Sequence, residues 1–218
     1  MKKILKVSLL FLIVVLSLIL IFNSQISNLI TKTYHPTITQ SVVQKNINKP
    51  ANFDFSKAKS VDFPRVVKAK LNQSNVKVIG KIIIPKIGID LPIGKGVDNN
   101  TLALAAGTMR DNQKMGIGNF PLAGHHMEDK KVLFSPLYYK AKVGQYVYLT
   151  DMNKIYKYRI YQRKFIKATD LSVINDTKNK IVTLITCDAT GVGRLMIRGT
   201  LVDITEYSKS SIDKIYAQ

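Results

Sequence analysis

The chain has 218 residues, which allows one domain with appendages but not a multidomain machine. Hydrophobic residues make up 46% and charged residues 22%, with 12 Gly and 7 Pro, so a collagenous or disordered chain is excluded and a packed core is within reach. Lys and Arg number 33 against 14 Asp and Glu, a net charge of +19, and the excess falls on both sides of Ser60, so no single basic arm explains it.

Val7 to Phe22 (VSLLFLIVVLSLILIF) is a run of 16 uncharged residues, extended by Ile4 and Leu5 if the stem of Lys6 snorkels to the interface. That length just spans a bilayer. Lys2, Lys3 and Lys6 precede it, which predicts a cytoplasmic N-terminus and an exported remainder. A cleaved secretory signal also has a basic start and an apolar middle, but NSQISNLI after Phe22 has no A-x-A-like cleavage site, which favours an uncleaved signal anchor over residues 1–23. Residues 24–75 are rich in Asn, Ser, Gln, Thr and Lys, are weakly periodic, and are broken at Pro36, Pro50 and Pro64. They read as an extracellular stem, some of it helical or packed on the domain it carries.

Residues 76–218 read mostly as strands: VKVIGKIIIP, IGIDLPIG, NFPLAGH, QYVYLTD, KIYKYRIYQRKFI, KIVTLITC and RLMIRGTLVDI are rich in Val, Ile, Tyr and Thr and separated by turn signals. The fold class is therefore all-β, closed or nearly so, with short helices. One helix is expected over Asn99–Ala105, with Asp98 as N-cap and Gly107 just past its end. Another turn of helix is expected around Phe134–Tyr139.

Cys187 is the only cysteine, which excludes a disulfide framework within the chain and a zinc site built from several thiolates. An unpaired thiol in an exported protein is a liability unless buried or used. Cys187 ends KIVTLITC, and alternation puts it on one face with Thr183 and Ile185 while Val182, Leu184 and Thr186 face the other way. Both faces are apolar, as in a strand buried on one side and lining a groove on the other; an inert core thiol fits the same strand. His125 closes NFPLAGH on the face of Ala123 and Pro121, whereas His126 points away and His35 lies in the stem. Arg194 follows Cys187 by seven residues across DATGVG, so a hairpin would return it beside the sulfur. Taken singly, His125 could be a surface residue and Arg194 a solvated charge. Together, a thiol, an imidazole and a guanidinium make a nucleophile, its proton partner and an oxyanion donor.

In this order, GKIIIPKIGIDLPI, LAGHH, TLITC and the strand-initial Arg of RLMIRGTL resemble the sortase family of cell-wall transpeptidases, and within it class A, from about Gly80 to Leu201. The resemblance implies an eight-stranded sortase-type β-barrel. It also implies Cys187, His125 and Arg194 as catalytic residues, with Arg198, where relatives often carry Lys, as the fallback arginine. It implies a sorting-signal groove lined by Ala123, Thr183 and Ile185, with Val173 and Ile174 against the Leu-Pro part of the signal. The implied partners are surface proteins bearing an LPXTG-type signal and the amine of a lipid II-type peptidoglycan precursor, at the outer face of a Gram-positive type cell membrane. No cofactor is implied. Some relatives bind calcium upstream of the His motif, but GTMRDNQKMGIG offers Arg110, Lys114 and only Asp111 as a carboxylate, so calcium activation is not expected. A class D-like or pilus-type sortase, or an exported cysteine peptidase that hydrolyses the thioester, stays open. A basic tethered module bound to anionic wall polymers would use the charge but leaves Cys187 and His125 unexplained. No nucleic-acid motif is recognisable, and nucleic acid is not an expected partner.

Overall fold

Alternation within GKIIIP builds the first stave of the fold. In β1 (Val78–Ile84), Ile82 and Ile84 join the main core and are completely buried, while Ile83 belongs to a separate cluster on the other face. A short 3-10 turn at Pro85–Ile87, released by Gly88 at φ +75°, returns the chain as β2 (Ile89–Gly94), antiparallel to β1. The computed structural model describes residues 2–55, 61–188 and 190–218. Residues 56–60 of the expected stem and Ala189 of the DATGVG turn lie outside the described residues.

The remaining strands are β3 (Ala106–Thr108), β4 (Asn119–Ala123), β5 (Tyr146–Thr150), β6 (Lys154–Lys167), β7 (Ile181–Cys187) and β8 (Gly193–Glu206). They close in the order β1-β2-β3-β4-β7-β8-β6-β5, the eight-stranded barrel the resemblance implies. Closure leaves no open sheet edge, and eight strands leave an interior that side chains fill. Phe120, Leu122, Leu149, Tyr158, Val182, Leu184 and Leu195 fill it here, each 1% exposed or less. The one hydroxyl among them, on Tyr158, accepts from Gly116 N at 2.9 Å, so its burial leaves no orphaned oxygen.

Helices cover the outside. α1 (Lys2–Ile21) carries a stretch, Lys3–Ile21, long and apolar enough to cross a membrane, its most apolar part unburied by the rest of the chain. It is consistent with a membrane anchor or a signal. α2 (Asn23–Lys32), α3 (Gln40–Ile47) and α4 (Phe63–Leu71) follow, α3 capped by Thr39 and α4 by Asp62, whose side chains accept from Val42 N and Arg65 N. These helices have tertiary partners. Tyr34 and Ala69 pack with Val76, Val78 and Ala103, and the buried Asn46 Nδ2 donates to Val78 O at 3.0 Å.

α5 (Asn99–Leu104) starts where expected, with the Asp98 carboxylate accepting from Asn100 N and Thr101 N. Its end differs from the sequence reading: Ala105 is already extended, and Gly107 sits inside β3 instead of terminating the helix. A Cβ on Gly107 would stand 2.5 Å from Gly96 O, so close backbone approach, not helix termination, requires glycine there. α6 (Ser135–Lys140) matches the expected helical turn, and α7 (Lys209–Tyr216), which the sequence reading lacked, covers Ile83, Tyr148 and Ile155 with Ile215.

Candidate active site

Topology brings three distant segments to one rim. β4 and β7 are neighbours and parallel, paired from Asn119↔Ile181 to Ala123↔Ile185, so their C-terminal ends emerge together. Gly124 N continues the ladder by donating to Ile185 O at 3.1 Å, and His125 comes next. The strand thus ends two residues short of His125, whose carbonyl instead accepts from Phe134 N at 3.1 Å. Gly124 is needed because a Cβ there would lie 2.6 Å from the Phe134 ring. β8 then returns antiparallel to β7 with Cys187 directly opposite Arg194, the hairpin the seven-residue spacing anticipated. Its turn is built by Asp188, which accepts from the Thr190 hydroxyl (2.8 Å), Thr190 N (3.0 Å) and Gly193 N (2.9 Å). The Thr190 hydroxyl, followed by these backbone donors, holds the Asp188 carboxyl below the usual carboxylate range.

Cys187, His125 and Arg194 line one cleft of about 1180 Å³. Cys187 is a free, half-buried thiol on its wall, not a sealed core sulfur. His125 lines the cleft, but its Nε2 is enclosed and has no hydrogen-bond partner among the described residues. Burial, and after it the positive charge of Arg194, push the His125 pKa down to about 4, so the imidazole is neutral at pH 7. The guanidinium of Arg194 is anchored by its own turn, Nη1 donating to Gly191 O (3.0 Å) and Gly193 O (2.9 Å).

One patch of the wall is aliphatic, while polar residues such as Asn28, Glu128, Thr169 and Asp170 line other parts. Ala123, Val173, Ile174 and Ile185 all line the cleft, beside Leu102 and Met109. Thr183 does not reach it: the residue is completely buried, and its hydroxyl donates to Asn119 Oδ1 at 2.8 Å. Arg198, opposite Thr183 in the ladder, is likewise absent from the cleft wall and spends Nη2 on Val173 O at 3.1 Å.

Two residues matter here that the sequence reading passed over. Asn119 is fully buried and donates Nδ2 to Val173 O (3.0 Å) and Asn175 O (2.9 Å), clamping the turn that carries Val173 and Ile174. A lone Asn heading the apolar strand NFPLAG was the available signal. His126 lies with Nδ1 3.1 Å from Cys187 O and Nε2 3.3 Å from the Tyr139 hydroxyl, its ring stacked on Tyr138 at 4.9 Å. It therefore braces the backbone of the cysteine rather than its sulfur.

Residues 82–202 match the family model of the Sortase domain. The chain belongs to the sortase family. It is similar to Sortase A of Listeria monocytogenes serovar 1/2a, 41% identical over 189 residues that span 84% of this chain and 85% of that protein. It is also similar to Sortase A of Streptococcus agalactiae serotype III, 36% identical over 209 residues that span 90% and 84%. Among solved structures, that of the Listeria monocytogenes sortase A superimposes with a TM-score of 0.62 at 39% identity, covering 65% of this chain and 98% of the other. Sortase C-3 from Streptococcus pneumoniae, at 20% identity and a TM-score of 0.61, shares the fold. With these relatives the chain is a sortase A-like cysteine transpeptidase, a homology that implies sorting-signal substrates.

Proposed function

We propose that Cys187 is the nucleophile of this transpeptidase, His125 its proton carrier and Arg194 its oxyanion donor, acting on a Leu-Pro-x-Thr-Gly signal between Thr and Gly. The observation that carries this is the meeting of all three groups in one cleft, beside the aliphatic patch of Ala123, Val173, Ile174 and Ile185. Ala123, Ile185, Val173 and Ile174 offer the Leu-Pro part of the signal an apolar seat. Thr183 acts behind that wall, through Asn119, rather than by touching the peptide.

Because His125 is neutral in the open cleft, the proton it delivers is one it first receives. The Cys187 sulfur attacks the Thr carbonyl carbon while its proton passes to His125 Nε2. The carbonyl oxygen becomes an oxyanion beside the Arg194 guanidinium. Collapse re-forms the carbonyl and breaks the carbon–nitrogen bond as His125 protonates the departing Gly amine, leaving a thioester on Cys187. An acceptor amine then attacks the thioester carbon and gives its proton to neutral His125, which returns it to the sulfur as the amide forms. The acceptor in this reading is the amine of a lipid-linked peptidoglycan precursor. α1 holds the enzyme in the cell membrane with Lys2, Lys3 and Lys6 on the cytoplasmic side, and residues 76–218 form the extracellular catalytic domain.

The test is a panel of fluorogenic Leu-Pro-x-Thr-Gly peptides with and without an amine, with the acyl-enzyme trapped for mass spectrometry. The expected adduct sits on Cys187 and is lost in Cys187→Ala. A folded Cys187→Ala protein that still made the amide product would overturn the assignment.

A further inference from the structure

The cleft reaches unusually close to the apolar helix. Its wall includes Asn23, Ser24, Ser27 and Asn28 of α2, and Asn23 immediately follows Phe22, where the apolar run stops. No flexible linker separates the two helices. Phe22 N donates to Leu18 O and Ile26 N to Phe22 O, both at 2.9 Å, so the helical hydrogen bonding carries on from α1 into α2. At a rise of about 1.5 Å per residue, Asn28 stands about 9 Å beyond Phe22.

α2 is also clamped to the loop that follows His125. Ser24 Oγ donates to Glu128 Oε2 at 2.9 Å, and Lys32 Nζ pairs with Asp129 at 2.6 Å. The Thr31 hydroxyl, which is buried, donates to Ala103 O at 3.3 Å. His125 precedes Glu128 by three residues, so its Cα lies at most about 11 Å from that of Glu128. A bilayer headgroup layer is about 5–8 Å thick on each side of the hydrocarbon. The α2 wall of the cleft therefore starts within that layer whenever α1 spans.

We infer that α2 and the Glu128–Lys131 loop form a rigid collar that seats the mouth of the catalytic cleft on the phospholipid headgroup surface. The occupant of this face is the bilayer itself. The lip chemistry suits it: Asn23, Ser24, Gln25 and Asn28 are polar and uncharged, and Lys130 and Lys131 flank the clamp with charges for lipid phosphates. An amine carried on a lipid then reaches Cys187 by moving within the bilayer plane, and a soluble amine has no such advantage. The inference rests on reading α1 as an uncleaved anchor.

The single cysteine makes the seat measurable. The full chain is reconstituted in phosphatidylglycerol-containing vesicles, a short-linker donor dye is placed on Cys187, and energy transfer to headgroup-labelled lipid is recorded. The reference is Asn179→Cys in a Cys187→Ser background, about 26 Å away along β7 at the opposite end of the barrel. Transfer from Cys187 is expected to exceed that from residue 179 severalfold. A ten-residue Gly/Ser insertion between Phe22 and Asn23, with a root-mean-square span of about 17 Å, should abolish the difference. Equal transfer from both positions in the uninterrupted chain, or transfer unaffected by the insertion, would overturn the seat. Alkaline carbonate extraction separates the two readings. Release of the chain would remove the anchor and the seat with it, whereas retention with equal transfer would remove the seat alone.

Discussion

Lowering the pH from 7 to 5 should destabilise the barrel through a single side chain. The unfolded chain binds a proton on His125 near pH 6.5, whereas the folded protein resists until about pH 4, because burial and then the Arg194 charge disfavour the imidazolium. Between those values the unfolded state holds more protons, so stability falls as pH drops from 6.5 towards 4 and is intact above that window. At 1.36 kcal/mol per pH decade the gap amounts to roughly 3 kcal/mol, of which roughly 2 kcal/mol is already lost at pH 5. The measurement is guanidinium unfolding of the full chain in non-ionic detergent, followed by tyrosine near-UV circular dichroism at pH 7 and pH 5, for the parent and for His125→Gln. The variant should lack this part of the acid loss, and the His125 Cε1 resonance should titrate close to pH 4. Equal acid losses in the two proteins, or a resonance titrating at 6.5, would refute the argument.

Arg194→Ala should lower turnover on a Leu-Pro-x-Thr-Gly peptide by about 100- to 1000-fold, as for loss of an oxyanion donor, with the folded circular dichroism spectrum retained. Asn119→Ala removes three hydrogen bonds, taking the Asn119 donor from the carbonyls of Asn175 and Val173, the latter keeping only Arg198, and the acceptor from the Thr183 hydroxyl. It should cost about 3 kcal/mol in chemical denaturation and raise KM more than it lowers kcat, since it slackens one wall of the cleft. Gly124→Ala drives a methyl into the Phe134 ring and should cost about 1–3 kcal/mol, read as a lower Tm.

The barrel was legible where runs of Val, Ile, Tyr and Thr are bounded by turn signals. Segments such as KIIIP and TLITC place large aliphatic residues on both faces, and both faces are in fact covered: Ile82 by the core, Ile83 by α7, Val182 by the core, Ile185 by the cleft cluster. β3 escaped because Ala106, Gly107 and Thr108 are three small residues with no alternation to detect. The N-terminal helices were only faintly visible for a different reason. Their inward positions are filled largely by polar residues, Ser27 and Thr31 on α2 and Asn46 beside Val43 on α3, so the helical spacing exists but hydrophobicity does not mark it. Burial of those groups is tolerated because each side chain finds a backbone oxygen: Ser27 that of Asn23, Thr31 that of Ala103, Asn46 that of Val78.

The meeting of the three candidate catalytic groups was legible only in part. The Cys187–Arg194 contact is local, a hairpin across a turn, and spacing alone anticipates it. The approach of His125 is not local, since it depends on β4 and β7 lying parallel and adjacent although 57 residues separate their strands, and nothing in either segment specifies that neighbour. The protonation state of His125 was further out of reach, because it depends on how much of the ring the cleft encloses and on which charge lies beside it. Neutral His125 in turn constrains the order of events. An imidazole whose pKa is about 4 holds almost no proton at pH 7, so it cannot protonate a leaving amine before the thiol has given up its own proton. In the proposed reaction the enclosed, unpartnered Nε2 is the acceptor for the sulfur's proton, and its desolvation is a cost carried until the substrate arrives.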